Sequence, residues 1–139
     1  MSENIRLIDS ENEKTLGVSG DVLPSAHKYA TFFKKYLRKR MRQSGFRRIT
    51  TSGIEPVGIG ESVLNKENIC TISKTQALRS CSPTSIMRSY LENDMKEWVQ
   101  PVQLYHLQEM FRKEGDMISS YYEYGFEIIG QKDPVIAAE

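Results

Sequence analysis

The spacing of apolar positions changes several times along the chain, and each change marks an element. Between residues 23 and 44, Tyr29, Phe32, Phe33, Tyr36, Leu37 and Met41 recur at intervals of three and four. That spacing lines one side of a helix. Pro24 and Ser25 supply its start, with Ser25 as N-cap, and Gly45 supplies its end as a C′ residue. Residues 46–51 then switch to a strand pattern, broken by Ser52-Gly53 and Pro56. Residues 57–65, with Gly58 and Gly60, have the composition of a loop, and their lone GxG lacks the lysine and helix of a phosphate-binding loop. Residues 69–72 and 76–79 predict a short hairpin turning at Ser73-Lys74-Thr75. Ser82-Pro83 opens a second helix, with serine as N-cap and proline at N1; Ile86, Met87, Tyr90, Leu91 and Met95 form its apolar face.

The longest patterned stretch is 102–130. Residues 102–112 are rich in β-formers with broken alternation, and residues 121–129 are more aromatic still. The polar break between them, 113–120, predicts a Gly-containing loop in a long antiparallel hairpin. At the ends, residues 1–22 form a polar leader in which 5–8 suit a short edge strand, and 131–139 start another helix capped by Asp133 with Pro134 at N1. Strands that follow one another in runs, with few helices, predict an α+β fold: a largely antiparallel sheet flanked by helices, over one domain from 23 to 139.

Composition narrows the class without choosing a function. The 139 residues are 39% hydrophobic and 27% charged, which suits one core. A net charge of +1 argues neither for nor against a polyanionic partner. Locally the balance differs: Lys34, Lys35, Arg38, Lys39 and Arg42 share a helix face, followed by Arg47 and Arg48. That face reads as a solvated surface with a favourable helix dipole in preference to a phosphate contact, because no aromatic residues are interleaved on it. Cys70 and Cys81 are too few for a disulfide framework, form no metal-ligand spacing, and read as small buried apolar residues in a reducing compartment. No run is apolar enough to span a bilayer and the start is not a secretory signal, so the expected location is the cytoplasm.

Candidate chemistry concentrates at the end of the first long strand. Arg112 and Glu114 are two residues apart, which puts them on one face of a strand. A guanidinium and a carboxylate sharing a face beside a hairpin loop suit an anionic ligand carrying an amine-bearing base, such as a nucleotide. Arg79 is a weaker candidate, and His106, mid-strand, reads as a sheet histidine rather than a base.

Four stretches in order resemble a known family. HKYATFFKKYLRKRMRQSGFRRITTSGIEP (about 26–56) is similar to motif 1 of the class II aminoacyl-tRNA synthetases, the helix and strand of their dimer interface. SIMRSYLENDM is similar to the helix after the LRPEGT segment of the histidyl-tRNA synthetases. QPVQLYHLQEMFRKE and YEYGFEIIG (about 102–130) resemble motif 2, the hairpin that holds ATP, and DPVIAAE resembles the start of the next helix. The resemblance implies the first part of a six-stranded antiparallel sheet flanked by helices. It implies ATP with Mg²⁺ as cofactor, a homodimer through the motif 1 helix, and tRNA as partner of a longer parent. Arg112 then matches the arginine that neutralises the α-phosphate, and Glu114 the acidic residue near the ATP site.

The departures fall on the amino-acid side. In place of LRPEGT stands Leu78-Arg79-Ser80-Cys81-Ser82-Pro83. Cys81 replaces the glutamate that binds the histidine ammonium, and Pro83 replaces the threonine beside it. Glu123 stands where a glutamine receives the substrate carboxylate, and an acid there repels that group. The motif 1 proline is replaced by Ser52 or Gly53, and the motif 2 loop is shortened. The pattern fits a histidyl-tRNA synthetase-like core fragment. The alternative is a non-catalytic regulatory or dimerisation protein, like the regulatory subunit of ATP phosphoribosyltransferase.

Overall fold

The computed structural model of the chain describes residues 21–130. The leader with its 5–8 strand and the helix expected at 131–139 lie outside the described residues. Three helices, α1 (Pro24–Gln43), α2 (Val57–Glu61) and α3 (Ser82–Glu92), surround two small sheets. Strands β1 (Arg47–Arg48), β4 (Val102–Glu114) and β5 (Met117–Ile129) form one sheet in the order β1-β4-β5. Strands β2 (Ile54–Pro56) and β3 (Gln76–Leu78) form the other. β4 and β5 pair antiparallel, β2 and β3 likewise, and only β1 runs parallel to its neighbour.

The hairpin is longer than its composition suggests. Glu114 pairs with Met117, so the expected loop at 113–120 shrinks to Gly115-Asp116, and the strands extend 13 residues each. Gly115 has φ +60°, the positive angle that a two-residue II′-type turn places at its first central position. Residues 117–120 are strand residues at an exposed tip, where Met117 and Ile118 stay 57% and 49% exposed beside Ser119 and Ser120.

Other boundaries also move. The cap of α1 is Leu23 with Pro24 opening the helix, rather than Ser25; proline's fixed φ and missing N–H suit the first turn. Gly45 does take a positive φ (+84°) at the helix end. The strand expected over 46–51 keeps two paired residues, the 57–65 loop contains α2, and the break after Ser52 holds β2. The hairpin expected at 69–79 is reduced to a bridge between Thr71 and Ala77, because β3 finds its longer partner in β2. α3 is capped by Cys81, which places Ser82 and Pro83 inside the first turn. Ser82 is drawn inward instead, fully buried against β4.

The β4–β5 hairpin has two faces. The front face carries Val102, Leu104, His106, Gln108 and Met110 of β4, opposite Ile129, Glu127, Gly125, Glu123 and Tyr121 of β5. α3 covers it: Ile86 and Tyr90 pack with Val102, Leu104, Met95 and Ile49, and Ile129 closes the edge. Ile86, Val102 and Met110 are at most 1% exposed; burying each contributes about 1.5–3 kcal/mol. The back face carries Tyr105 and Leu107 with Tyr122, Tyr124 and Phe126, and α1 lies across it.

Candidate functional site on the front face of the hairpin

The front face is a row of alternating side chains that begins apolar and ends charged. Val102 and Leu104 are core; His106, Gln108 and Met110 are buried; Arg112 and Glu114 continue the same row into solvent. Strand rise puts Arg112 about 13 Å beyond Gln108. The expected pairing of Arg112 and Glu114 on one face therefore matches the strand geometry. Neither makes an ion pair or a side-chain hydrogen bond with another described residue, and both side chains are exposed.

Gln108 ties the site together. Its Oε1 accepts from the Thr51 backbone N–H at 3.0 Å, and its Nε2 donates to Ser82 Oγ at 3.1 Å. The segment after β1 and the start of α3 are thereby clamped to the hairpin. Cys81, half-buried, sits at that start, and Glu123 lies directly across the strand pair from Gln108. The fold thus gathers the α3 terminus, with Cys81, and Glu123 around one end of the row, with Arg112 further along it. Pro83 is exposed in the first turn of α3.

Arg79 is a structural residue. Its guanidinium donates to the backbone carbonyls of Thr51 and Glu109, with Nε 3.1 Å from the latter. Its own carbonyl accepts from Phe111 N–H, and its N–H donates to Gly53. Three chain segments meet on this one side chain, which is 5% exposed. Burial lowers its pKa, and Glu55, Glu109 and Glu123 raise it back in part.

His106 is buried but not a comfortably paired sheet histidine. Its ring sits beneath Gly125, where a Cβ would lie 2.7 Å from Cε1. Nε2 is 3.3 Å from Glu123 Oε1, off the line of a hydrogen bond, and Nδ1 has no hydrogen-bond partner. Burial lowers the imidazole pKa more than Glu123 raises it, so the ring is neutral at neutral pH.

Two acids escaped the sequence reading. Glu127 shares the front face, two places beyond Gly125, and burial followed by the nearby Glu123 raises its pKa. Glu55 is 3% exposed, accepts from Ser85 Oγ at 2.6 Å through Oε2, and leaves Oε1 without a partner. Ser85 Oγ also approaches the Cys81 carbonyl at 2.8 Å, yet it has one proton to give. Burial raises the Glu55 pKa, against the opposing pull of Ser85, Arg88 and Arg79. Glu127 carries no sequence signal beyond strand alternation. Glu55 falls in a stretch whose Ser, Gly and Pro hid the strand.

No family model matches the chain. Curated relatives do. It is 30% identical over 132 residues to the histidine–tRNA ligase of Desulfitobacterium hafniense, covering 86% of this chain and 31% of that protein. The Bacillus licheniformis histidine–tRNA ligase is 32% identical over 133 residues, again 86% of this chain and 31% of the relative. Among solved structures, apo Staphylococcus aureus histidyl-tRNA synthetase superposes with a TM-score of 0.72, at 24% identity, over 86% of this chain and 30% of that one. The chain resembles about one third of a histidyl-type class II aminoacyl-tRNA synthetase. A Bacillus halodurans protein described as an ATP phosphoribosyltransferase regulatory subunit/histidyl-tRNA synthetase has the same fold, with a TM-score of 0.74 at 20% identity, over 90% of this chain and 34% of that one. These likenesses establish the fold: a part of the class II synthetase core, α+β. The histidyl-synthetase-like chain spans about a third of the curated relatives' length.

Proposed function

We propose that this chain is a histidyl-tRNA synthetase-like core module that keeps the ATP side of the site and has lost the histidine side. The observation that carries the reading is Arg112 and Glu114, exposed at the end of the front-face row and without an ion pair among the described residues. A free guanidinium fits a phosphate, and a single free carboxylate fits a hydrated Mg²⁺ shared with phosphates. In this reading Arg112 holds the α-phosphate and Glu114 lies at the ATP and its metal. Bound ATP would supply an activated phosphorus for attack by a carboxylate, the step that makes an aminoacyl-adenylate in the parent family. Cys81, Pro83 and Glu123 occupy the amino-acid positions. A thiol and a proline give an ammonium group no charge partner, and the Glu123 carboxylate beside neutral His106 repels a substrate carboxylate.

The exposed α1 stripe supports a second reading, in which the module works by assembly. Tyr29, Phe32, Phe33 and Tyr36 are 48–71% exposed, a contiguous apolar surface suited to a second copy of the chain. That reading makes the chain a regulatory or dimerisation protein. tRNA would belong to a longer parent, and the location would be the cytoplasm. Among the described residues no helix is long and apolar enough to cross a membrane.

Titration calorimetry with Mg·ATP separates the two. Saturable binding that falls at least about tenfold in Arg112→Ala supports the nucleotide module, since a hydrogen bond to a charged group is worth about 1.5–3 kcal/mol. Absence of heat from the wild type sinks it and leaves assembly. Histidine-dependent ATP–pyrophosphate exchange should be absent from the wild type; its presence would overturn the claim that the histidine side is lost.

A further inference from the structure

The back of the hairpin carries a second chemistry that the synthetase-like reading does not use. Eight of the nineteen Lys and Arg residues fall between positions 34 and 48, and no Asp or Glu lies among them. Sequence spacing placed no aromatic residue on that basic face, but the fold does. α1 lies across the sheet so that Lys34, Arg38 and Arg48 rim a cleft of about 180 Å³ whose walls include Tyr105, Tyr122 and Tyr124. Lys34 Nζ stands 4.7 Å over the Tyr122 ring. Arg38 and Arg48 continue into a second cleft of about 370 Å³ with Arg42 and Arg47. Among the described residues none of Lys34, Arg38, Arg42 or Arg48 pairs with a carboxylate.

The basic surface is also separate from the apolar one. At about 100° per residue, Arg38 points about opposite to Tyr29 on α1, while Leu37 and Met41 turn toward the sheet between them. A second copy could cover the aromatic stripe and leave the basic cleft open.

We infer that the cleft between α1 and the back of β4–β5 binds single-stranded nucleic acid, with phosphates on Lys34, Arg38, Arg42 and Arg48 and a base against Tyr122. The cations form an extended track rather than a single point, which suits a chain of phosphates. The tyrosine wall supplies the stacking surface that single-strand binders combine with such a track. Tyr122 is 58% exposed and reachable, whereas Tyr105 at 3% forms the floor. The Tyr124 phenol, pushed up by burial and by Tyr105, stays protonated and remains a donor. A base that takes the Tyr122 face releases Lys34 toward its phosphate. A cleft of about 180 Å³ takes one flat base and is too small for a duplex, whose bases are stacked inside.

The test is fluorescence anisotropy of the full chain with a labelled single-stranded RNA of about twelve nucleotides, within the range such sites span. Four phosphate contacts predict a log–log salt slope of about −3. Arg38→Glu with Arg48→Glu should weaken binding by tenfold or more and flatten the slope by about 1.4. Tyr122→Leu should weaken it about fivefold or more with the slope unchanged. All three positions are solvent-exposed, and unchanged helical circular dichroism verifies the fold. The proposal falls if the wild type does not bind at about 50 mM salt, if the double charge reversal leaves affinity unchanged, or if anionic vesicles or duplex RNA compete as well as the single strand. Mg·ATP titration of the Arg38→Glu/Arg48→Glu variant keeps the two sites distinguishable, since Arg112 lies on the other face.

Discussion

The two faces of one hairpin have been finished differently. On the front, α3 seats Ile86 and Tyr90 over Val102 and Leu104, and the polar side chains among them are held by named partners: Gln108 by Thr51 and Ser82, Arg79 by two carbonyls. On the back, α1 contributes no buried residue at all, and its aromatic stripe faces solvent. The difference separates what this length of chain completes by itself from what it offers to something else. A core needs apolar area on both partners. α3 brings it in a compact, near-neutral helix, whereas α1 divides its surface among an aromatic stripe, a basic stripe and a thin line of Leu37 and Met41 against the sheet.

The comparison can be broken at its strongest point first. Ile86→Ala on the front removes a fully buried side chain and should cost about 3 kcal/mol of unfolding free energy by denaturant titration. A loss under about 1 kcal/mol would mean that α3 is not the chain's core helix. Next comes Gly125→Ala. Its Cβ would meet the buried His106 ring at 2.7 Å, so overpacking should cost about 1–3 kcal/mol. Placed on a His106→Ala background, the same change should cost much less, because the clash is with that ring. Equal costs on both backgrounds would show that the two residues do not share the space. The smallest effect belongs to the back: Phe32→Ala, at a position 71% exposed, should change stability by no more than about 0.5 kcal/mol in dilute protein. If it instead matches Ile86→Ala and the loss grows with protein concentration, a second copy covers the stripe, and the contrast between the faces belongs to the isolated chain only.

Much of the fold was legible because periodicity survives in long elements. The Tyr29-to-Met41 spacing announced α1, Ser82-Pro83 placed the start of α3 within a residue, and the two apolar runs from 102 to 129 announced the hairpin. The short elements were not legible. β1 is two residues and β2 is three, and Ser52, Gly53 and Pro56 signal a break in either case; pairing with β4 and β3 makes them strands. The extent of the turn is not legible for a related reason: Lys113, Glu114, Gly115, Asp116, Ser119 and Ser120 give the run a loop-like composition, and only the pairing of Lys113 with Ile118 and Glu114 with Met117 makes its flanks strand.

The candidate site was legible to the same depth. The two-residue spacing of Arg112 and Glu114 suffices to place them on one face, because strand alternation is local geometry. That Gly125 makes room for His106, that Glu123 stands across from Gln108, and that Arg79 spends its guanidinium on backbone carbonyls depend on register and on contacts between segments tens of residues apart. The basic run from 34 to 48 was evident as composition. Its tyrosines come from β4 and β5, far later in the chain, so only the crossing of α1 over the sheet brought them together. The sequence by itself determined the elements, the charges and the short-range alternation, which depend on neighbours along the chain. The tertiary structure decided which of those charges are buried, paired or free, because burial and pairing depend on neighbours in space.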